Sequence, residues 1–260
     1  MKKFIRLIAL LLAALLVLTS CAGDGGEDAD EQKQQSTPHP RDLDGKFVVM
    51  IDPGHGFGDV GCTSEYINCY EKDINLSVAL YLRDLLRDRG VTVIMSHDGE
   101  SFINEAELTN RCDKLGIQYK AEAVTENNIF YAYERALYAM VCDSQVGVDM
   151  FVSLHVNAID SEEINGFELY YCSDNPEAER VKELCDDIAD SLQGECDVRA
   201  YPADDAYIVT KNGTFPSFLF EMGYATNEND AKNLTDEKWQ RELAQLLSDK
   251  IFSCITKYGK

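Results

Sequence analysis

Four short stretches leave this chain little freedom in how it can fold. FVVMI (47–51), VTVIM (91–95), DMFVSLHV (149–156) and FPSFLFEMG (215–223) are apolar almost throughout and too short for helices. Strands of that kind are buried on both faces, as when helices cover a parallel sheet. Longer stretches with a helical period lie between them. DINLSVALYLRDLLRDRG puts Ile74, Val78, Leu82, Leu85 and Leu86 on one face, with Asp73 near its start and Gly90 at its stop. Residues 130–146 and 175–193 read as further helices, GFELYYC (166–172) as a strand with alternating apolar positions, and Trp239, Leu243, Leu247 and Ile251 as the apolar face of a closing helix. The order predicts an α/β fold: a single domain with a twisted mixed, mostly parallel sheet of about six strands flanked by helices, opening on a right-handed βαβ unit.

That domain spans residues 46–260, and what precedes it has a different character. Residues 1–20, MKKFIRLIALLLAALLVLTS, combine a basic start, an apolar run from Ile8 to Leu18 and small residues before Cys21. The run is short for a bilayer span and fits a secretory signal peptide. LTSC resembles the bacterial lipobox, which implies a lipidated Cys21 as the first residue of the exported protein and a stable membrane anchor. Residues 21–45 are poor in apolar side chains and rich in Gly, Asp, Gln and Pro, the composition of a flexible acidic linker, with an r.m.s. reach of roughly 25–30 Å. The chain is expected to act outside the cytoplasm as a membrane-anchored lipoprotein.

A net charge of −22 argues against nucleic acid as a partner, because phosphate binding needs clustered Lys and Arg. Of the nine cysteines, eight fall after Cys21, and no CxxC spacing suggests a thiolate metal site. An exported domain with an even number of cysteines is compatible with disulfides. Cys62 and Cys69 form the pair expected to close a loop, worth about 2–3 kcal/mol if bonded; eight free thiols are the alternative.

His55 and His155 both fall at the carboxyl ends of expected buried strands, the edge where open α/β sheets carry their ligand sites. Glu221 ends a third such strand, in FLFEMG, where an acid after apolar residues is costly to bury without a task or a partner. Glu71 directly precedes the first helix. Two imidazoles and a carboxylate are the ligand set of a catalytic zinc ion, and a further carboxylate off the metal suits a general base. Taken singly, each residue has a plain structural explanation as a turn, cap, core or ion-pair residue; it is their convergence on one edge that points to chemistry. His97, in MSHDG, reads as a surface residue.

IDPGHGFGDVG, EKDINLSVALYLRDLL, VSLHVNA followed by GFELYY, and LFEMGYATN occur in the order of four sequence blocks of the zinc-dependent N-acetylmuramoyl-L-alanine amidases, and this chain closely resembles that family over about residues 46–258. The resemblance implies His55, Glu71 and His155 as Zn2+ ligands and Glu221 as the catalytic base and acid. It implies peptidoglycan as substrate, cut at the amide between N-acetylmuramic acid and L-alanine. Arg135 and Asn157 are the candidate substrate contacts, with a structural salt bridge an equal alternative for Arg135. Met140 stands where the family usually has Asn. An insertion at about 99–134, carrying Glu105, Glu107, Glu122 and Glu126, reads either as a lid or groove wall over the site or as a peripheral helical pair. A non-catalytic wall-binding or activator protein, and a different zinc hydrolase of wall material, are the competing functions.

Overall fold

The structure is a computed structural model and describes residues 46–103, 105–119 and 129–258. The signal segment, Cys21, the linker, Glu122 and Glu126 lie outside the described residues.

Six strands form one sheet in the order β2-β1-β3-β6-β4-β5. In chain order the elements are β1 (Val48–Pro53), α1 (Glu71–Asp88), β2 (Thr92–Met95), α2 (Glu105–Leu115), α3 (Ile129–Val146), β3 (Met150–Asn157), β4 (Phe167–Cys172), α4 (Ala178–Ala189), β5 (Cys196–Tyr201), α5 (Ile208–Lys211), β6 (Ser217–Tyr224), α6 (Glu228–Leu234) and α7 (Glu237–Tyr258). The expected mixed, mostly parallel α/β sheet is what forms: β1, β2, β3 and β6 run parallel, as do β4 and β5, while β4 meets β6 antiparallel.

The apolar runs become strands because both faces are covered. Val49, Ile51, Val152, Leu154, Phe218 and Phe220 enter one core with α1, α4 and α7. Val48, Met50, Phe151 and Leu219, of the opposite parity, enter a second core with α2, α3 and α5. Asp73 takes the helix-start role expected of it, its carboxylate accepting from the Tyr70 amide at 3.3 Å, and Ile74, Val78, Leu82 and Leu86 are buried along α1.

Strand direction decides where the site can form. β1, β3 and β6 end at one edge of the sheet. Because β4 runs the opposite way, its first residues reach that same edge, and Glu168 faces Glu221 across the β4–β6 pair. β5 has no counterpart in the sequence reading: CDVRAY alternates half-buried with exposed positions and carries charge, as an edge strand does.

Cys62 and Cys69 do not form the expected bridge; both are free thiols. Closeness in sequence does not orient two side chains toward each other. The Cys62 thiol is instead directed at the Val156 carbonyl, at 3.5 Å.

Candidate metal centre

The turn after β1 carries the first imidazole. His55 has φ 65° and Phe57 φ 50°, both in the left-handed region that non-glycine residues seldom adopt, so the loop holds strain at this point. Two glycines make the close approaches possible. A Cβ on Gly54 would lie 2.3 Å from the His155 ring, and one on Gly61, itself at φ +69°, would lie 2.5 Å from Glu71 Oε2. Gly54 gives room to the second histidine, Gly61 to the carboxylate.

Glu71 is the first residue of α1, where the helix dipole favours negative charge, and it is buried. Its Oε1 lies 3.1 Å from His55 Nε2 and 3.2 Å from His155 Nδ1. The carboxylate is oriented by the Val156 amide (3.0 Å) and Asn75 Nδ2 (3.2 Å) at Oε1, and by the Cys62 amide (2.8 Å) at Oε2. Asn75 also donates to the Gly54 carbonyl, at 3.2 Å, tying the helix to the histidine turn. Asp59 Oδ2 sits 2.9 Å from His55 Nδ1 and fixes the ring so that Nε2 faces Glu71.

Possible ligand atoms of His55, Glu71 and His155 all lie within 4.8 Å of one another. Burial works against the charge on Glu71, yet hydrogen bonds and charge from His155 and His55 hold its carboxyl far below the usual range. Burial pulls His155 down, outweighing Glu71. For His55, Glu71 and Asp59 overcome burial and raise it. The donor set fits zinc: two imidazoles and a carboxylate, one imidazole backed by a second carboxylate in the manner usual for zinc-binding histidines.

Glu221 stands beside this cluster, its Cα paired with that of His155 across β3 and β6. The residue is 8% exposed, and Oε2 has no hydrogen-bond partner among the described residues. Burial, with the negative charges of Glu71 and Glu168 behind it, pushes its pKa well above the ordinary carboxylate value.

The two candidate contacts are both engaged internally. Arg135 is buried with Nε 2.7 Å from Asp52, whose other contacts are the hydroxyls of Ser96 (2.5 Å) and Ser153 (2.7 Å). The salt bridge to Asp52 is present. Asn157 donates to Glu168 Oε2 at 2.7 Å. Glu168, which the sequence reading passed over, is buried and also receives Tyr170 Oη at 2.7 Å and Arg199 Nη2 at 2.6 Å. The signal was there: an acid at an inward position of an apolar strand, as with Glu221. Asn75, one helical turn after Glu71, could equally have been found from its spacing.

His97 is not at the surface. It is 4% exposed, with Nε2 2.9 Å from the Pro53 carbonyl, because the loop after β2 folds back over the histidine turn.

Among the described residues no helix is long and apolar enough to cross a membrane.

Residues 49–253 match a family model described as N-acetylmuramoyl-L-alanine amidase. The chain is similar to the germination-specific N-acetylmuramoyl-L-alanine amidase of Bacillus subtilis, with 26% identity over 100% of this chain and 98% of the relative. Among solved structures it resembles the CwlD amidase of Clostridioides difficile, whose structure is of a complex with the GerS lipoprotein, with 27% identity, a TM-score of 0.60, and coverage of 82% of this chain and all of that one. It also resembles the catalytic domain of CwlV, an N-acetylmuramoyl-L-alanine amidase from Bacillus (Paenibacillus) polymyxa var. colistinus, with 25% identity, a TM-score of 0.58, and coverage of 82% of this chain and 97% of that domain.

Proposed function

Because this chain belongs to the N-acetylmuramoyl-L-alanine amidase family, we propose that it is a zinc-dependent enzyme that hydrolyses the amide between N-acetylmuramic acid and L-alanine in peptidoglycan. The observation that carries this reading is the meeting of His55, Glu71 and His155 beside the unpartnered carboxyl of Glu221. His55, Glu71 and His155 would hold the ion. Bound zinc supplies Lewis-acid activation of water and of the scissile carbonyl.

The chain's own residues do the rest. Asp59 and Asn75 keep the ligand groups in place, and the strained His55 turn brings its imidazole to the edge where β3 and β6 end. Glu221 accepts a proton from the attacking water and donates it to the nitrogen of the departing L-alanine. Its raised proton affinity suits the second half of that cycle, and ionisation suits the first. Glu168 adds negative charge behind Glu221 and is itself held by Asn157, Tyr170 and Arg199.

Export through the signal at 1–20, lipidation at Cys21 and a 21–45 linker place this activity on the outer face of a membrane, within linker reach of the wall. The wall is the substrate, and no nucleic acid is involved. Product analysis tests the chemistry: an amidase frees L-alanine amino termini from purified peptidoglycan, whereas a peptidase, a deacetylase or a wall-binding protein does not.

A further inference from the structure

The turn that carries His55 is bordered by a second histidine, His97, for which the proposed chemistry has no use. We propose that His97 is a positioning residue for the metal centre: its Nε2–H, with its ring packed alongside, holds the turn after β1 in the conformation that presents His55 to Glu71 and His155. The inference rests on the reading of His55 as a metal ligand.

Three observations carry it. The first is a hydrogen bond that replaces a rung of the sheet. At the end of β2 the Ser96 amide donates to the Ile51 carbonyl at 3.0 Å. Were the parallel ladder to continue, the amide two residues on, that of Asp98, would meet the Pro53 carbonyl. The Asp98 amide instead donates to the Ser101 carbonyl at 3.3 Å, and the Asp98 carboxylate accepts from the Glu100 and Ser101 amides at 3.0 and 2.7 Å. The chain has left the sheet. His97 Nε2, 2.9 Å from the Pro53 carbonyl, supplies the missing donor, so β1 stays fastened on the β2 side up to its last residue. Both residues are buried, where a carbonyl stripped of its donor is costly.

The second is packing. The ring of Phe57 lies 5.5 Å from that of His97 and 4.5 Å from that of Phe102, and a backbone bridge pairs His97 with Phe102. At Gly56 the imidazole comes closest: a Cβ there would lie 2.8 Å from His97 Nε2. The ring of His97 thus rests against the backbone between His55 and Phe57.

The third is strain. His55 and Phe57 both have left-handed backbone angles, with Gly56 at φ +123° between them. Such conformations persist only where the surroundings over-determine them. Asp59 braces this turn from within, and Asn75 braces it from α1. His97 braces it from β2, the remaining neighbour of β1 in the sheet apart from β3.

The test compares three variants of the purified protein. His97→Leu keeps bulk and removes the donor, whereas His97→Gln retains an amide nitrogen able to reach the same carbonyl. Val181→Ala is the control, a truncation in the core at the start of α4, which follows β4 beyond the edge of the sheet opposite the site. Zinc affinity is read by competition with a chromogenic chelator, and the backbone amide resonances of residues 54–59 are followed in metal-free protein. His97→Leu should bind zinc about 10- to 100-fold more weakly than wild type, the range for groups that orient metal ligands, and His97→Gln should stay within about threefold. Val181→Ala should lose stability and keep its zinc affinity. An unchanged affinity in His97→Leu, a loss no larger than that of Val181→Ala, or equal losses in His97→Leu and His97→Gln would overturn the proposal. If wild type itself binds no zinc, the metal reading fails and the resonances decide: displacement in His97→Leu with retention in His97→Gln supports the hold on the turn, and any other pattern overturns it.

Discussion

His55 occupies a backbone conformation that costs on the order of 1–3 kcal/mol for a non-glycine residue, and Gly54 beside it has no room for a methyl group. Gly54→Ala should therefore displace the His155 ring and lower zinc affinity by at least tenfold, read by competition with a chromogenic chelator. Glu221→Gln removes the proton acceptor and leaves the three ligand groups untouched. It should retain the fold and the metal and lose roughly 10²–10⁴ in turnover, measured as L-alanine amino termini released from purified peptidoglycan. Glu134 gives a pH effect of known sign. Its pKa rises from 4.5 to about 8 on folding, so between those values the folded chain binds more protons than the unfolded one, and stability falls as pH rises through that window. Glu134→Gln should gain stability over wild type in denaturant melts at pH 8 and show no gain at pH 4. At this scale the sequence was most legible where a polar residue interrupted an apolar run: His155 and Glu221 stood out for that reason. Glu168 carries the same signal, but its importance comes from β4 running antiparallel to β6, which no local pattern announces. His97 looked exposed because the loop that buries it folds back over the histidine turn from outside the strand.

The elements were legible in proportion to their burial. β1, β3 and β6 are apolar on both faces, and α1 buries a continuous stripe, so pattern alone located them to within a few residues. β5, whose side chains alternate between half-buried and exposed, gave no apolar run, and the four-residue α5 is too short for a period. Leu82 illustrates what the stripe contributes. It is fully buried between sheet and helix, and Leu82→Ala should cost about 2–5 kcal/mol in chemical denaturation. Because α1 begins at Glu71, a loosened helix should also weaken zinc binding, which links packing to the site. In the insertion, α2 packs on α3, and the loop preceding α2 pairs Phe102 with His97.

At the level of the whole molecule, one sheet edge gathers residues more than 160 positions apart, from His55 to Glu221, because three strands end there and one begins. The acidic chain carries its proposed membrane attachment in a lipid and not in a basic surface, so Cys21→Ser should move the protein from the membrane fraction to the soluble fraction, and high salt should not release the native form. The account stands or falls on the reaction itself. Purified protein should be incubated with isolated peptidoglycan, with and without a chelator and then with zinc restored, and the fragments weighed by mass spectrometry. The predicted result is intact peptides with new L-alanine amino termini, absent under chelation and recovered with zinc. Cleavage that persists without metal, or fragments cut at any other bond, would contradict it.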